Sequence, residues 1–216
     1  GHEKAYRGAE SVARRDGVKV ILLGAGALGS WLVDLLARQG YNSITVVDRE
    51  RVDNDNYGTQ NYGRTDAARP KATQASQNVF RRIGVRVEGV VKTVTETTIE
   101  PILRGQHLVV DLFDNAESRE LVRVTCERLG IPCLHAGMGT MGYFEVIWNE
   151  RYKVAFGHDE DPNAPCDYPM SSNLVMLCVG ATAEVINTYI DDGKKIDVDF
   201  WLAQMKMNKY EFANES

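Results

Sequence analysis

The sequence predicts an α/β fold of the Rossmann-like type: a mostly parallel sheet with helices on both faces, continuing into antiparallel strands. Three observations predict it. Residues 18–23 form a continuous run of β-branched and leucine residues, as in a strand that is buried on both faces. That run leads into the glycine-rich sequence GAGALG, and apolar residues at helical spacing follow at 30–39. A second apolar strand at 43–47 completes a β-α-β unit.

Strands and helices continue to alternate after this unit. The polar segment 49–69 is long for a connection inside a domain, and loops of that length are usually functional. Pro70 favours the start of a helix. Further helices are predicted at 71–82, 99–103, 116–129 and 172–190, and further strands at 85–94, 107–112 and 133–136.

The second half of the chain departs from this alternation. After a glycine-rich break at 137–142, two apolar runs at 143–148 and 152–156 have no helix between them, which predicts antiparallel pairing. Residues 200–212 are interpreted as a tail. We expect a helical segment at 1–17, whose Gly1-His2 start is typical of a tag remnant, followed by a single domain at 18–216 that divides near residue 136.

Composition excludes several classes of protein. The chain of 216 residues has a net charge of -5 and no block of Lys or Arg, which argues against broad binding to nucleic acid. Polar residues interrupt its longest apolar stretch, so a transmembrane protein is not expected. The four cysteines show no CxxC spacing, so we expect no structural zinc and a reducing, cytoplasmic location.

The glycine-rich motif between the first strand and the first long helix predicts a nucleotide site. Gly24, Gly26 and Gly29 permit a tight turn and bring phosphate close to the backbone, where a helix N-terminus offers free N–H groups. Asp48 ends the second strand, where a carboxylate accepts hydrogen bonds from ribose hydroxyls. These two features alone also allow an NAD-dependent oxidoreductase, or a glycine turn that serves only packing.

The segment after Asp48 resembles the signature of the ThiF/MoeB/HesA family, relatives of the ubiquitin-activating enzymes. The family pattern D-x-D/E-x-V is followed by N-x-x-R-Q and a later lysine, and a second block reads D-x-x-D-N-x-x-x-R. The resemblance resumes at IPCLHAGMGTMG, PNAPCDYP and LVMLCVGATAEVINTYI, so it covers about residues 18–190. The matching residues are Asp48, Glu50, Val52, Asn56, Gln60, Asp66, Lys71, Asp111, Asp114, Asn115 and Arg119.

The resemblance implies an adenylyltransferase that uses ATP and Mg²⁺. In such enzymes the C-terminal carboxylate of a ubiquitin-like or sulfur-carrier protein attacks the α-phosphate, which gives an acyl adenylate and pyrophosphate. It assigns Lys71 to the phosphates and Asp114 to Mg²⁺, and Asn56, Gln60 and Asn115 to hydrogen bonds with the ligand or with the Asp114 loop. The simpler interpretations are an exposed lysine, a helix-capping Asp114 and turn-forming asparagines.

One departure from the family pattern bears on activity. Thr59 stands where the family has the arginine of N-x-x-R-Q, and a hydroxyl cannot replace a guanidinium on phosphate. Arg64 could supply the charge, as could Arg14 and Arg15 of this or a partner subunit. The alternative is a catalytically weak adaptor, or pseudo-enzyme, that serves as one half of a heterodimeric activating enzyme.

A second departure concerns sulfur. Many relatives hold a structural zinc with two CxxC pairs, and some have a catalytic cysteine before the long helix, yet neither pattern is intact here. Cys166 is the remaining candidate for an acyl-accepting thiol, whereas Cys178 is predicted on the buried face of a helix. The resemblance also implies a homodimer, with a heterodimer as the alternative. The apolar stretch 143–156 is a candidate interface, unless it only packs the core.

Overall fold

The computed structural model describes residues 1–139, 141–154 and 171–212. Its strands are β1 (Lys19–Leu23), β2 (Ser43–Val47), β3 (Glu88–Val90), β4 (Leu108–Asp111), β5 (Cys133–Gly139), β6 (Tyr143–Trp148), β7 (Ile196–Trp201) and β8 (Lys206–Glu211). Its α-helices are α1 (His2–Arg7), α2 (Ala9–Arg15), α3 (Gly29–Arg38), α4 (Lys71–Ile83), α5 (Ile99–Leu103), α6 (Ala116–Leu129) and α7 (Ser172–Asp192). Short 3₁₀ turns occupy Asn54–Gly58, Arg64–Asp66 and Leu202–Gln204.

The strands form one sheet in the order β3-β2-β1-β4-β5-β6-β7-β8. Pairing is parallel from β3 to β5 and antiparallel from β5 to β8. The predicted Rossmann-like class, with antiparallel strands continuing a parallel sheet, is therefore confirmed. The chain reverses direction across the sheet between β1 and β4, and in open α/β sheets ligands bind at the carboxyl ends of the strands at such a point.

Alternate residues of the central strands enter two separate apolar layers. Val20 and Leu22 of β1 pack in the cluster that α3, α4 and α7 cover, whereas Ile21 and Leu23 pack in the one that α5 and α6 cover. Burial on both faces explains why β1 is a continuous apolar run rather than an alternating one. Helices on both faces are thus a direct consequence of this strand composition.

Helix α7 is long and apolar enough to cross a membrane by length and composition, with a mean hydropathy of 1.3 over its best window. Half of that window is buried inside the fold. Its apolar side chains belong to the same cluster as β1 and β6, and the buried Asn187 amide accepts a hydrogen bond from the Tyr41 hydroxyl at 2.9 Å. In this fold α7 is therefore a core helix, as the interruption of its apolar run by polar residues predicts.

Four predicted elements were wrong in part. Strand 85–94 shrinks to β3 because it lies at the sheet edge, where only Glu88–Val90 find partners on β2. The break at 137–142 is shorter than expected, since β5 pairs with β6 as far as Gly139. Residues 152–154 form no strand, and 155–156 lie outside the described residues. Residues 200–212, predicted as a tail, instead contain the end of β7, a short 3₁₀ turn and all of β8.

One face of the candidate dimer interface at 143–156 is part of the core. Strand β6 lies between β5 and β7, and its Phe144, Val146 and Trp148 side chains are fully buried under α7. This favours the packing alternative for one face of β6. Several exposed apolar residues of this half lie on the β7–β8 hairpin, where Trp201 and Tyr210 are each more than 40% exposed.

Candidate nucleotide-binding site

Two of the three motif glycines are required by the chain's own packing. Gly24 has a φ of +111°, and a Cβ there would lie 3.2 Å from the carbonyl oxygen of Leu112, just beyond β4. A Cβ on Gly29 would lie 1.9 Å from the carbonyl oxygen of Gly24, closer than any contact allows. The glycines therefore let the turn fold back on itself and let α3 start directly above it.

Packing within the chain does not require a glycine at position 26. A Cβ built on it meets no atom within 4 Å, and its φ is not positive. The N–H groups of Gly26, Ala27 and Leu28 bond to no acceptor in the described part of the chain, and Leu28 gives α3 no side-chain cap. Open space above free N–H groups at a helix N-terminus is the arrangement that binds phosphate.

The Asp48 carboxylate is 9% exposed and fixes this turn to the end of β2. Its Oδ2 accepts from the Ala25 N–H at 2.7 Å, and its Oδ1 accepts from the Glu50 N–H at 2.7 Å. Each carboxylate oxygen can accept more than one hydrogen bond, so a ribose hydroxyl remains compatible with this arrangement. The structure adds a positioning role that the motif alone does not reveal.

The long segment 49–69 is ordered by backbone pairing at its base. The Val52 N–H donates to the Arg69 carbonyl at 2.9 Å, and the Ala68 N–H donates to the Val52 carbonyl at 2.9 Å. Above this base, the Asn56 side chain accepts from the Asp53 N–H at 2.8 Å and caps its own 3₁₀ turn. Asn56 therefore forms a turn, as its simpler interpretation states.

This segment is anchored to the start of α3. The Trp31 indole N–H donates to the Thr59 carbonyl at 2.9 Å, and the Ser30 hydroxyl accepts from the Asn61 N–H at 2.9 Å. The neighbouring Gln60 has a buried Oε1 without a hydrogen-bond partner among the described residues. This acceptor lies between two residues that contact the start of α3, and it is able to accept a hydrogen bond from a ligand.

Tyr62 is a site residue that the sequence reasoning missed. Its hydroxyl lies 2.7 Å from the Ala25 carbonyl oxygen and 3.2 Å from the Lys71 carbonyl oxygen, so it joins the glycine turn to the start of α4. Burial and the nearby carboxylates of Asp48 and Asp66 raise the pKa of Tyr62, which keeps the hydroxyl a donor. An aromatic residue inside an otherwise polar loop was the available signal.

Lys71 is the first residue of α4 and is only 5% exposed. Its Nζ lies 2.7 Å from the Glu50 carboxylate, and its N–H donates to the Glu50 carbonyl at 2.8 Å. The lysine is thus held beside the glycine turn rather than exposed on the helix. Because the side chain of Glu50 is 58% exposed, it can move away when a phosphate takes its place.

The turn after β4 brings Asp114 to the same edge of the sheet, two residues beyond the Leu112 that contacts Gly24. Asp114 is exposed and forms no hydrogen bond or ion pair with the described residues. The helix cap is Asn115, whose Oδ1 accepts from the Ser118 N–H at 2.8 Å. The capping role considered for Asp114 therefore falls to its neighbour, and the Asp114 carboxylate stays available, with oxygen ligands of the kind that suits Mg²⁺.

Arg119 of α6 stabilises the turn that carries Asp114. Its guanidinium donates to the Phe113 carbonyl, to the Ala136 carbonyl at 3.2 Å and to the Tyr152 hydroxyl at 2.6 Å, and it lies 3.9 Å from Asp111. Burial lowers the pKa of Arg119, but the attraction of Asp111 and Tyr152 outweighs it and raises the pKa overall. Arg119, which matches the arginine of the family pattern, thus fixes the conformation of the turn that carries Asp114.

Replacing Arg119 with leucine should lower the free energy of unfolding by about 3 kcal/mol, because Asp111 and two carbonyl groups lose their buried partner. Arg123 is a matched control one turn along α6, since its ion pairs with Glu120 and Glu127 lie at the surface and both glutamates remain partly or largely exposed. Arg123→Leu should cost less than about 1 kcal/mol. Urea denaturation of both variants measures the difference, and equal losses would contradict the role given to Arg119.

The candidates for replacing the absent arginine are placed far apart. Arg64 lies exposed in its 3₁₀ turn, in the polar segment that borders the site. Arg15 is fully buried and bonds to Asp191 at 3.0 Å and to the Gln39 carbonyl at 2.8 Å, at the opposite end of α3 from the glycine turn. Arg14 donates to the Asp191 carbonyl at 2.5 Å. Arg14 and Arg15 are thus held away from this chain's own glycine turn, and their contribution to the site of a partner subunit stays a prediction.

Two cysteines bear on the sulfur question. Cys178 is buried on α7, and burial raises the pKa of its thiol to about 12, so its interpretation as a structural thiol is confirmed. Cys166 lies outside the described residues, and its candidacy stays a prediction. The described residues hold no cluster of three or more metal-ligating side chains.

The switch-point position, the glycine turn and the free helix N-terminus define a Rossmann-type nucleotide-binding protein. A model of the ThiF family matches residues 5–207, and the chain belongs to that family. The SAMP-activating enzyme E1 of Haloferax volcanii is 29% identical over 204 residues, which span 88% of this chain and 74% of that protein. The ThiS adenylyltransferase of Bacillus subtilis is 35% identical over 136 residues, or 60% of this chain and 40% of that protein.

Solved structures agree on the fold. E. coli MccB, crystallised with AMPCPP and MccA, superimposes with a TM-score of 0.82 at 16% identity over 97% of this chain and 68% of that chain. The chain spans 74%, 40% and 31% of the first three curated relatives. Relatives of stated activity include adenylyltransferases, so the chain is assigned to that class of enzyme rather than to the oxidoreductases that share its glycine motif.

Proposed function

We propose that this protein activates the C-terminal carboxylate of a ubiquitin-like or sulfur-carrier protein by ATP-dependent adenylation. The observation that carries the proposal is the open space over Gly26, lined by free N–H groups and followed by the buried Lys71 ammonium. The relatives named for SAMP activation and for ThiS adenylylation support the carrier-protein substrate. Cytoplasmic location and a homodimer, with a heterodimer as the alternative, belong to the same proposal.

In the reaction, a carboxylate oxygen bonds to the α-phosphorus of ATP while the bond to the pyrophosphate oxygen breaks. The products are an acyl adenylate and pyrophosphate. The N–H groups at the start of α3 and the Lys71 ammonium would hold the phosphates, and Asp48 would orient the ribose. Asp114 would hold Mg²⁺, which supplies charge neutralisation on the triphosphate when bound. The protein's contribution is mainly position and charge.

Exchange of labelled pyrophosphate into ATP tests the proposal directly. We expect exchange that depends on a carrier protein with a free C-terminus and disappears when that terminus is amidated. Asp114→Ala should abolish the exchange while leaving the fold intact, since Asp114 makes no bond to the described residues. Absence of exchange with every carrier encoded near this protein, together with unaltered ATP binding in Asp114→Ala and Lys71→Ala, would refute the enzyme assignment.

Thr59 favours a second candidate, a weakly active adaptor half of a heterodimeric activating enzyme. Its backbone is fixed by the bond to Trp31, so the position is ordered although the guanidinium is absent. The two candidate functions predict different effects of placing an arginine at position 59.

If Thr59 leaves the phosphates short of a cation, Thr59→Arg should raise the exchange rate about tenfold or more, as a charge-assisted bond of roughly 1.5–3 kcal/mol allows. Thr59→Met is the matched control, because it adds length without charge and should change little. Rates of pyrophosphate exchange compare the two. An unchanged rate in Thr59→Arg would instead mean that another cation already serves the phosphates, and Arg64→Gln should then reduce the rate.

A further inference from the structure

A cavity lies at the amino-terminal ends of strands β2 and β3, whereas the glycine turn lies at the carboxyl ends of the strands. The cavity measures about 710 Å³ and lies between the first residues of β2, the second half of α4 and the segment that enters β3. Asp48 marks the carboxyl end of β2, whereas the cavity is lined by Ser43 at the other end, roughly 16 Å away at the rise of a strand. The cavity is therefore separate from the nucleotide site, and its volume suits a small molecule.

The cavity combines a buried apolar floor with an exposed aromatic ring. Ile44 and Val87 line it and are 3% and 7% exposed. Phe80 lines it from α4 and is 48% exposed, so about half of the ring's residue surface is open to a ligand. An aromatic ligand would cover the exposed part of the Phe80 ring, which is the apolar surface that the free protein leaves to solvent here.

The charged groups around the cavity favour an anion. Arg81, Arg86 and Glu88 line it, so two guanidinium groups face one carboxylate in a protein whose net charge is -5. Arg86 stands 5.3 Å from the centre of the Phe80 ring and forms no ion pair with a carboxylate of the described residues. Arg81 lies 3.8 Å from the Asp66 carboxylate and donates a hydrogen bond to the Asn78 side-chain oxygen. Arg86 is therefore the cation that is available to a planar carboxylate or sulfonate.

We propose that this cavity, lined by β2, α4 and the entry to β3, binds a small aromatic anion. The ligand's ring packs on Phe80 and over the Ile44 floor, and its carboxylate or sulfonate accepts hydrogen bonds from Arg86. The Ser76 hydroxyl is already used, since it donates to the Val87 carbonyl at 2.5 Å, so it fixes the wall rather than the ligand. The cavity thus selects for one negative charge next to a fused or single aromatic ring.

Isothermal titration of the full chain with 1-naphthoate tests the site. We expect a dissociation constant of about 1 mM or below, and an affinity at least about tenfold weaker for the uncharged 1-naphthalenemethanol. Arg86→Gln and Phe80→Ala should each weaken naphthoate binding about tenfold, and both side chains are exposed enough that the fold should persist. Arg128→Gln is the matched control and should bind as the parent does, because Arg128 is exposed and lies on α6, which covers the other face of the sheet.

Amide chemical shifts provide an independent test of where naphthoate binds. Amide chemical shifts of the parent protein should move on naphthoate addition at residues 42–45 and 76–88, and they should move equally when MgATP is saturating. Failure to bind at millimolar concentration, equal affinity for the neutral alcohol, or displacement of naphthoate by MgATP would each overturn the proposal. Unchanged naphthoate affinity in Arg86→Gln would overturn it as well.

Discussion

Gly29→Ala is expected to lose roughly 4 kcal/mol or more of unfolding free energy, whereas Gly26→Ala should fold as the parent protein does. The reason is geometric. The added methyl group on Gly29 would lie 1.9 Å from a backbone oxygen of the glycine turn, which cannot move without displacing β1 or α3. The same methyl group on Gly26 meets open space. Urea denaturation followed by circular dichroism measures both variants.

The Gly26 variant separates packing from ligand binding. If phosphate occupies the space over Gly26, a methyl group there should weaken ATP binding about tenfold or more while leaving stability within about 0.5 kcal/mol. Equilibrium titration with MgATP checks this. A Gly26→Ala protein with normal stability and normal ATP affinity would mean that the glycine motif serves only the turn, the interpretation that the sequence left open.

Much of the fold could be predicted from local signals in the sequence. The β-α-β opening, α4 and α6 follow from local apolar periodicity and from Pro and Gly at helix ends, and such signals need no knowledge of distant residues. The parallel half of the sheet was predictable for this reason. Strand β7 was equally readable, because Ile196, Val198 and Phe200 alternate with polar residues and face the α7 side of the sheet. The interpretation of residues 200–212 as a tail does not take this alternation into account.

Other features depend on contacts between distant parts of the chain. Nothing in a local window indicates that Arg119 will bond to Tyr152, 33 residues later, or that Tyr62 will reach Ala25, 37 residues earlier. The sequence resemblance placed Arg119 in a motif but not in a role. The extent of β3 likewise depends on how much of the β2 edge is free, which only the assembled sheet decides.

The candidate site shows the same division. The identities of Gly26, Asp48, Lys71 and Asp114 came from motif and resemblance, and the structure places them along one edge of the sheet. Whether each side chain is free to meet a ligand could not be predicted. Asn115 and Asp114 are adjacent and equally able to cap a helix, yet only one does. Because the Asn115 side chain caps α6, the Asp114 carboxylate is the one that stays available to a ligand.

Lys71→Met should reduce pyrophosphate exchange by about a hundredfold or more, since one well-placed charge on a transferring phosphate is worth roughly 3 kcal/mol or more. Methionine keeps most of the side-chain volume at a position that is 5% exposed, so packing should survive. The partner carboxylate of Glu50 is 58% exposed and returns to water without a large penalty. The loss should therefore appear in exchange rate and MgATP affinity rather than in unfolding.

Glu50→Gln is the control that separates a catalytic lysine from a structural ion pair. Both variants break the 2.7 Å contact between Lys71 and Glu50, but only Lys71→Met removes the cation. If Lys71 binds phosphate, Glu50 competes with the ligand, and Glu50→Gln should keep or raise MgATP affinity. If the ion pair matters only for holding α4 against the loop, the two variants should fail alike in exchange and in urea denaturation. A loss of MgATP affinity in Lys71→Met but not in Glu50→Gln would establish that the buried ammonium faces the nucleotide.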